Sequence, residues 1–487
     1  LVGVSGVSIL FFAGCIHTPA GGGDLILKPG GGTVIFREVP INLGTGAFYL
    51  DHGGLIASAV AGNTWGDTRA AGGGGTIRAD VTNALPATTK LIVGAGTSAN
   101  GNFDLNGYDQ TVSQLPTDTV NAGTRTVTSS KTAALTLNQS ANTLFNGILT
   151  GMVRLIKNGT GSILFTNGIS TTTGDLIVNT GTVVIAQSAG FNANTNTVVN
   201  GGILELRTQT ALWDNTRLYV ADGAKVRIGA GLKETVGQLF INGVQQARGI
   251  YGTTASGALF PNDTHFDGTG QLNVLSGPAV TPVTHTWDAE SSEDTLFSTA
   301  ANWTDDAVPL FDGTTHAVFG LGGSTATVDV AAGLYGMTFN RDGNFTLAAG
   351  AGVLTNGAGG ILAVAPNATA RIYTIAEDMV LNDHQTWDAG TNNFGMTTLN
   401  ISGTIDDVLA PCDITKTGFG TVNLYGSNTF DGAVIVSNGT LRIFHSNALG
   451  GTNGSTIVNG LAGCTLGLSG NLNLEEPLVL NGERNNA

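Results

Sequence analysis

The chain has 487 residues, 73 of them glycine, with 11% charged residues and a formal net charge of −15 at pH 7. Disordered chains combine few apolar residues with high charge, so this composition indicates a folded protein with many turns. The 20 basic residues form no cluster of the kind that binds phosphate, which argues against a nucleic-acid partner.

The apolar stretch 7–15 at the start of the chain permits two interpretations. It ends in Ala-Gly-Cys and resembles the core of an export signal, but no methionine or basic segment precedes it. It also aligns as a strand, in the way that residues 144–148 precede a later repeat. We expect an internal strand, and therefore a chain that begins and ends in mid-repeat. No run reaches the roughly 20 apolar residues that cross a bilayer.

Three segments of the chain share one cycle of short strands and turns. The cycle is clearest between residues 413 and 443, where apolar-alternating runs at 421–424, 433–436 and 440–443 are separated by Gly-Ser-Asn and Ser-Asn-Gly. The spacing from the first lysine of the cycle to its later strand is nearly constant: Lys28 to Leu55, Lys157 to Val183, and Lys416 to Leu441. Repeats that keep their spacing fold as repeating structural units.

Strands this short cannot bury an apolar face alone, and the Gly and Asn corners let the chain lay each strand beside the last. We expect an all-β fold, a right-handed parallel β-helix (β-solenoid) built from repeated short strands, with rungs roughly 4.8 Å apart. At about 22 residues a rung, the chain would make on the order of 22 rungs. Residues 232–240 are the one helix candidate, and the Asn-Gly turn after them favours a strand.

Two prolines within five residues mark the best module boundary. We expect a first β-solenoid module at 1–276 that begins in mid-repeat, a proline-containing junction at 277–285, and a second module at 286–487 that is truncated at its end. The second module opens with Thr-Trp-Asp. We expect Trp287 and Trp303 to fill the core at this opening.

The motif series resembles the autotransporter-associated β-strand repeat of bacterial passenger domains. The motifs are K-x-G-x-G at 157–161 and 416–420, Asn-Thr-Phe at 428–430 and Asn-Gly-Thr-Leu at 438–441, and residues 220–275 are similar to the closing segment of such modules. The resemblance covers most of the chain. It implies a passenger-type β-solenoid at a bacterial outer surface, with membrane contact only through a segment outside this chain.

Some parallel β-helices cleave acidic polysaccharides, so acidic pairs were considered as sites. Neighbouring residues on a strand point to opposite faces, and no lysine or arginine cluster lies beside the pairs, which are Glu293-Asp294, Asp305-Asp306, Asp406-Asp407 and Glu475-Glu476. We expect solvated turns there. The segment Asp263-Thr264-His265-Phe266-Asp267 is the most site-like cluster, and its position after Pro-Asn favours a structural turn over a metal site.

The remaining polar residues indicate neither a catalytic, a metal nor a cofactor site. The cysteines Cys15, Cys412 and Cys464 form no CxxC or CxxH pattern, so we expect buried free thiols without a disulfide framework or zinc. Four asparagines stand at strand ends, where their amides either stack between rungs or face solvent; they are Asn179, Asn200, Asn438 and Asn459.

These observations favour a non-enzymatic extracellular rod with a structural or adhesive role at a bacterial cell surface. Its unpaired outer rungs would allow end-to-end self-association into a filament. Surface glycans or neighbouring cells are the other expected partners, and no cofactor is expected. One alternative is a carbohydrate-active enzyme, which needs a groove with two carboxylates within about 10 Å and a basic residue. Another is a glycan-binding module, with exposed rings at Trp65, Trp213 and Tyr251.

Overall fold

The computed structural model describes residues 2–3, 9–12, 22–28, 32–51, 55–59, 61–71, 74–94, 100–117, 123–166, 168–186, 189–367, 369–390, 397–407, 411–459 and 463–481. These residues are almost entirely strand, with short 3-10 helices at Thr254–Ser256 and Ala300–Asn302. They form two compact units, unit 1 at 1–278 and unit 2 at 279–487, and the division lies within the proline-containing segment 277–285.

Unit 1 is built on one long sheet. Eleven of its strands stack in parallel, one from each successive rung: Ile9–Phe12, Thr33–Phe36, Leu55–Ser58, Thr76–Ala79, Gly101–Asp104, Arg125–Asn138, Ile148–Asn158, Leu176–Val178, Asn196–Val199, Arg217–Val220 and Gln238–Ile241. The strand Gln110–Val112 also pairs with Arg125–Asn138. Parallel pairing between successive turns of the coil is the arrangement predicted from the repeat.

Three further parallel sheets complete the coil of unit 1. Its first part has Val2–Gly3, Leu25–Lys28, Phe48–Asp51, Asp67–Ala71 and Lys90–Val93. Its second part has a side sheet of Thr143–Phe145, Ser162–Phe165, Thr182–Ile185, Ile203–Leu206, Lys225–Ile228 and Phe266–Gly268, next to the pair Gly168–Ser170 and Ala189–Phe191. The β-solenoid fold is therefore confirmed.

Unit 2 repeats the same architecture with two parallel sheets. Its long sheet contains Val283–Trp287, Asp312–Phe319, Ala332–Phe339, Leu354–Ala363, Gln385–Ala389, Ile414–Thr417, Val434–Val436, Thr456–Val458 and Leu478–Leu480, with Met379–Leu381 and Ile405–Asp406 beside them. Its side sheet contains Thr325–Thr327, Phe345–Ala348, Arg371–Ile375, Thr397–Ile401, Thr421–Leu424, Thr440–Ile443 and Thr465–Leu468.

Alternation along each strand creates the core. In Ile203–Leu206 the inward Leu204 and Leu206 are fully buried, whereas Glu205 between them faces outward. In the long sheet of unit 1 the inward position repeats every 21 residues, so that equivalent residues stack on successive rungs: Leu155, Leu176, Thr197, Leu218 and Leu239. Stacking buries a continuous apolar column that no single rung could bury alone.

The coil of unit 1 ends in a closing segment. After Gln238–Ile241 the chain turns at Asn242-Gly243, both at positive φ, and the short strand Val244–Gln245 returns antiparallel along the last rung. Four strands form a mixed sheet at the end of unit 1, Lys233–Val236, Gln271–Val274, Gly249–Gly252 and Phe260–Pro261, and residues of three of them belong to its hydrophobic core. The described residues make about 19 turns, fewer than the rung length predicted. Residues 232–240 form strands as expected.

The first strand of unit 2 is also covered on one edge. Trp303 forms an antiparallel bridge to Trp287, and their rings meet edge to face with centroids 5.3 Å apart. Both side chains are buried, as predicted from their place at the module opening. The Trp303 indole donates to the Phe297 carbonyl at 3.0 Å, which satisfies its N–H inside the core. Among the described residues no helix is long and apolar enough to span a membrane.

Candidate functional site

A buried lysine organises the turn of the second repeat copy. Lys157 is the last inward-facing residue of the strand Ile148–Asn158. Its side chain is fully buried and is aligned with the aliphatic side chains of neighbouring rungs. Its Nζ donates to three backbone carbonyls, those of Asn158 at 2.8 Å, Gly159 at 2.8 Å and Thr180 at 3.4 Å. The last carbonyl belongs to the following rung, so the ammonium ties two rungs together.

Lys416 makes the same set of contacts in unit 2. Its Nζ donates to the carbonyls of Thr417 at 2.6 Å, Gly418 at 2.9 Å and Asn438 at 2.9 Å. Burial lowers the pKa of both lysines, Lys157 and Lys416, to about 8, so both ammonium groups stay protonated at neutral pH.

The first repeat copy differs from the other two. Lys28 aligns with the buried lysines in sequence, but its side chain is 39% exposed and forms an ion pair with Asp51 at 2.7 Å. The three segments share their spacing, but Lys28 is not structurally equivalent to Lys157 and Lys416. The sequence Pro-Gly-Gly follows Lys28 where Asn-Gly-Thr and Thr-Gly-Phe follow the others, and residues 29–31 lie outside the described residues.

A ladder of asparagine amides runs beside the buried lysine of unit 1. Each Nδ2 donates to the Oδ1 of the asparagine on the preceding rung: Asn158 to Asn138 at 3.1 Å, Asn179 to Asn158 at 2.8 Å, and Asn200 to Asn179 at 2.8 Å. Stacking is thereby confirmed for Asn179 and Asn200. In unit 2 the Nδ2 of Asn459 donates instead to Ser437 Oγ on the preceding rung, and Asn438 Oδ1 accepts from the N–H of its neighbour Gly439.

The ladder stops at Ala221. This residue occupies the next ladder position, since its N–H bonds the Val199 carbonyl as that of Asn200 bonds the Val178 carbonyl. Asn242 stands at the same position one rung further on. The missing amide leaves a gap in the ladder, and the 21-residue spacing of the asparagines was the sequence signal that would have located it.

A groove lies over this gap. It has a volume of about 410 Å³ and is lined by Asn196, Val198, Asn200, Tyr219, Val220, Ala221, Asn242 and Gly243, which we call the Tyr219 groove. Tyr219 faces outward from its strand, next to Val198 on the preceding rung and Phe240 on the following one. The rings of Tyr219 and Phe240 stack with centroids 4.6 Å apart. Every lining side chain is uncharged.

Two carboxylates and an arginine meet on the side sheet of unit 1. Arg227 lies between Glu205 and Asp267 on adjacent rungs, with Nη1 3.2 Å from Glu205 Oε2 and Nη2 2.7 Å from Asp267 Oδ2. The hydrogen bond from Arg227 lowers the pKa of Asp267. The three side chains lie on adjacent strands and form a cross-strand ion-pair ladder.

The comparison with protein families identifies one segment. Residues 414–443 match the family model described as the passenger-associated-transport-repeat. This segment is similar to that repeat. The resemblance found in the sequence is thus confirmed here, and the segment includes Lys416 and the turn that it organises. The searches against curated proteins and solved structures found no match.

Outside the passenger repeat, two members of the acidic pairs are not solvated as predicted. Asp407 is 8% exposed and accepts hydrogen bonds from the N–H groups of Cys412, Asp431 and Gly432. Glu476 is also 8% exposed and accepts from Thr456 Oγ1. Burial raises the pKa of both carboxyl groups, to about 7 for Glu476. The prediction failed because these carboxylates cap turn N–H groups or hydroxyls inside the wall of the coil.

A buried glutamate in unit 1 has the same role and was not singled out from the sequence. Glu234 has no exposed surface, and its carboxylate accepts from the N–H groups of Leu212 at 2.8 Å and Ala211 at 3.2 Å on the preceding rung. Burial raises its pKa to about 7. Its strand follows a Gly-Leu-Lys sequence that gives no signal of burial.

The His265 cluster does not converge. Asp263 accepts from the N–H and hydroxyl of Thr254, Asp267 pairs with Arg227, and the buried His265 has its Nδ1 3.1 Å from Asn262 Oδ1. Within the described part of the chain, no group of three or more His, Cys, Asp or Glu side chains is placed to hold a metal ion. Cys412 and Cys464 are free thiols, with Cys412 buried, and Cys15 lies outside the described residues.

Two of the three aromatic side chains expected at the surface are buried. Trp65 is 3% exposed and stacks on Phe48, and Tyr251 is 4% exposed and stacks on Phe260, so both predictions of exposure were wrong. Both side chains belong to the hydrophobic core of unit 1. The alternation of apolar and polar residues in the sequence did not show this. Trp213 is 38% exposed, as expected.

Proposed function

We propose that this chain is a non-enzymatic, extracellular segment of passenger type that acts as a structural and adhesive rod at a bacterial outer surface. The observation that carries the proposal is the passenger repeat at 414–443. Its buried-lysine turn occurs again at Lys157 in unit 1, so the same structural unit is used in both halves of the chain.

The chemistry of the described side chains supports a role without catalysis. Buried carboxylates such as Glu234 and Asp407 cap backbone N–H groups, and the carboxylates around Arg227 form ion pairs. A purified chain should release no reducing ends from neutral or acidic polysaccharides. Cleavage of any of them would favour the carbohydrate-active alternative.

We propose end-to-end association only through the last described strand of unit 2. Rung edges near the junction are covered, by Val244–Gln245 in unit 1 and by the Trp303 segment in unit 2. The strand Leu478–Leu480 pairs on one side and exposes its side chains by 40, 42 and 69%, with no described strand on its other edge. Light scattering of the wild-type chain and of Val479→Lys tests this. Association that Val479→Lys does not weaken would exclude this edge.

The location is tested on producing cells. Intact cells are treated briefly with a protease, and the released peptides are identified by mass spectrometry beside a cytoplasmic marker protein. We expect peptides from exposed segments such as 278–284 while the marker stays intact. Release of these peptides only after lysis would contradict an extracellular role.

A further inference from the structure

We propose that the Tyr219 groove is a binding site for a neutral sugar, with one pyranose ring stacked on the open face of Tyr219 and a hydroxyl group placed in the gap of the amide ladder. The inference deepens the adhesive part of the proposed function, because it assigns a ligand class to one surface of unit 1. It depends on three observations: the unused groups of the ladder, the open ring face and the neutral lining.

The ladder ends on an unused acceptor. All its amides donate toward the preceding rung, so the Oδ1 of Asn200 faces the following rung, where Ala221 provides no side-chain donor. No described residue donates to Asn200 Oδ1. Asn242 stands two rungs above Asn200, about 10 Å away along the stack. One sugar hydroxyl in the gap can donate to Asn200 Oδ1, and a second hydroxyl of the same sugar can accept from the Asn242 amide.

The ring of Tyr219 has one covered face and one open face. Phe240 stacks on it from the following rung at an interplanar angle of 14°. On the preceding rung the neighbour is Val198, whose side chain is shorter than the tyrosine ring, and both residues line the groove. The open face therefore borders the groove, as an apolar platform beside the amides of Asn196 and Asn200.

The lining selects the class of ligand. A pyranose has an apolar C–H face and a polar edge, and the groove offers an aromatic face flanked by amides. A purely apolar guest would leave the amides unsatisfied, which is unfavourable. None of the lining side chains carries a charge, and Arg217, the register neighbour of Asn196, is hydrogen-bonded to Gln238, so the lining itself offers no ionic partner for an acidic sugar. The volume of about 410 Å³ lies within the range of small-ligand sites.

The site is tested with the purified full chain and a panel of neutral oligosaccharides of glucose, galactose, mannose and N-acetylglucosamine. Saturation-transfer NMR and titration give the dissociation constant, which we expect near 1 mM, on the order of magnitude typical of a shallow site. Sialylated and uronic-acid oligosaccharides serve as the acidic comparison. Stronger binding of the acidic sugars, or no binding of any neutral sugar at millimolar concentration, would overturn the proposal.

Two variants locate the site. Ala221→Asn continues the ladder and fills the gap, so we expect at least tenfold weaker sugar binding with a thermal midpoint equal to or above that of the wild type. Tyr219→Ala removes the platform and should weaken binding to a similar extent. The matched control is Tyr425→Ala, which removes the ring of the Tyr425–Phe444 stack in unit 2 and should leave binding unchanged.

The outcomes separate this proposal from the proposed function. Wild-type affinity in Ala221→Asn, or equal loss in Tyr425→Ala, would place any sugar binding elsewhere and overturn the assignment of the groove. Surface location is measured independently by protease treatment of intact cells. A chain that is released from cells but binds no neutral sugar would retain its proposed location and lose this site.

Discussion

Lys157 and Lys416 place an ammonium group where three backbone carbonyls converge. A glycine corner turns these carbonyls toward the core, and carbonyls buried without donors are costly. Lysine supplies three N–H groups on a long stem, so one side chain satisfies a whole corner and bridges to the next rung. The residue therefore acts as an internal cap.

Replacing Lys416 with methionine should destabilise unit 2 locally. The change keeps the side-chain volume but leaves the carbonyls of Thr417, Gly418 and Asn438 without their donor. Part of this loss of stability is offset because the variant no longer buries a charge. We expect a loss of about 2 kcal/mol in the free energy of unfolding. Urea unfolding followed by tryptophan fluorescence measures it, since Trp387 is the register neighbour of Lys416.

The control for this variant is Lys28→Met. Its side chain is 39% exposed, so breaking its ion pair with Asp51 should change the unfolding free energy by less than about 1 kcal/mol. Equal effects of the two substitutions would show that burial of the ammonium is irrelevant to stability.

Glu234 makes unit 1 more stable in mild acid. Burial raises its folded-state pKa from 4.5 to about 7, so the folded state holds a proton that the unfolded chain has already released. The resulting stabilisation is complete below pH 4.5 and is lost as the pH rises through about 7. A shift of this size corresponds to on the order of 3 kcal/mol.

Glu234→Gln should remove this pH dependence. Glutamine retains an oxygen that accepts from the Leu212 N–H, and it does not titrate. Denaturant midpoints at pH 5, 6, 7 and 8 should fall with rising pH in the wild type and stay nearly constant in Glu234→Gln, whose NH2 group faces the Ala211 N–H and lowers its stability at every pH. Glu38→Gln, at an exposed position, should follow the wild type throughout; a wild type that is equally stable from pH 5 to 8 would contradict the prediction.

At the scale of the element, the turn is stabilised by its neighbours on the stack. Each asparagine of the ladder donates to the rung before it and accepts from the rung after it, so an internal member makes two amide contacts and a terminal member makes one. The side chains sit at strand ends, where Asn tolerates the turn geometry. The stability of each corner therefore depends on hydrogen bonds to the asparagines of the neighbouring rungs.

Asn179→Ala should cost more than Asn200→Ala. Asn179 donates to Asn158 and accepts from Asn200, whereas Asn200 has only its bond to Asn179. At about 1 kcal/mol for each hydrogen bond, we expect losses of about 2 and 1 kcal/mol. Hydrogen exchange of the amides at 158–161 and 179–181 measures the local effect. Equal losses would show that the amides do not act as a ladder.

The strands were predictable, whereas the buried polar groups were not. Period-two alternation between Gly and Asn corners located Thr421–Leu424 and Thr440–Ile443 correctly, because the inward and outward faces of a strand are written in its sequence. Lys416 and Glu234 are buried because a neighbouring rung supplies carbonyl or N–H groups that bond to them. Which groups lie within reach is determined only when the rungs stack. The gap at Ala221 and the pairing of Glu205 with Arg227 depend on register in the same way.

At the scale of the whole molecule, the chain is two capped units. Their hydrophobic cores are separate clusters, one ending at Val274 and the other starting at Trp287. A hairpin covers the last rung of unit 1 and a bridge to Trp303 covers the first strand of unit 2, so neither leaves this edge open for pairing. Each unit therefore has the components of an independently folded domain.

Cleavage between the units should leave both folded. A specific protease site inserted between Pro278 and Ala279 lies in an exposed stretch between the two cores. After cleavage we expect two fragments whose thermal midpoints match those in the intact chain within a few degrees. Calorimetry before and after cleavage measures this, and the uncleaved insertion variant is the control. Loss of a transition on cleavage would show that the units depend on one another.

The constant register of the long sheet of unit 1 has an evolutionary consequence. Between Leu155 and Leu239 each rung repeats its inward position after 21 residues. Tandem duplication of one such segment in the gene would insert a rung that matches both of its new neighbours. The coil could thus gain or lose one rung per mutational event, with no other change in the residues of its core.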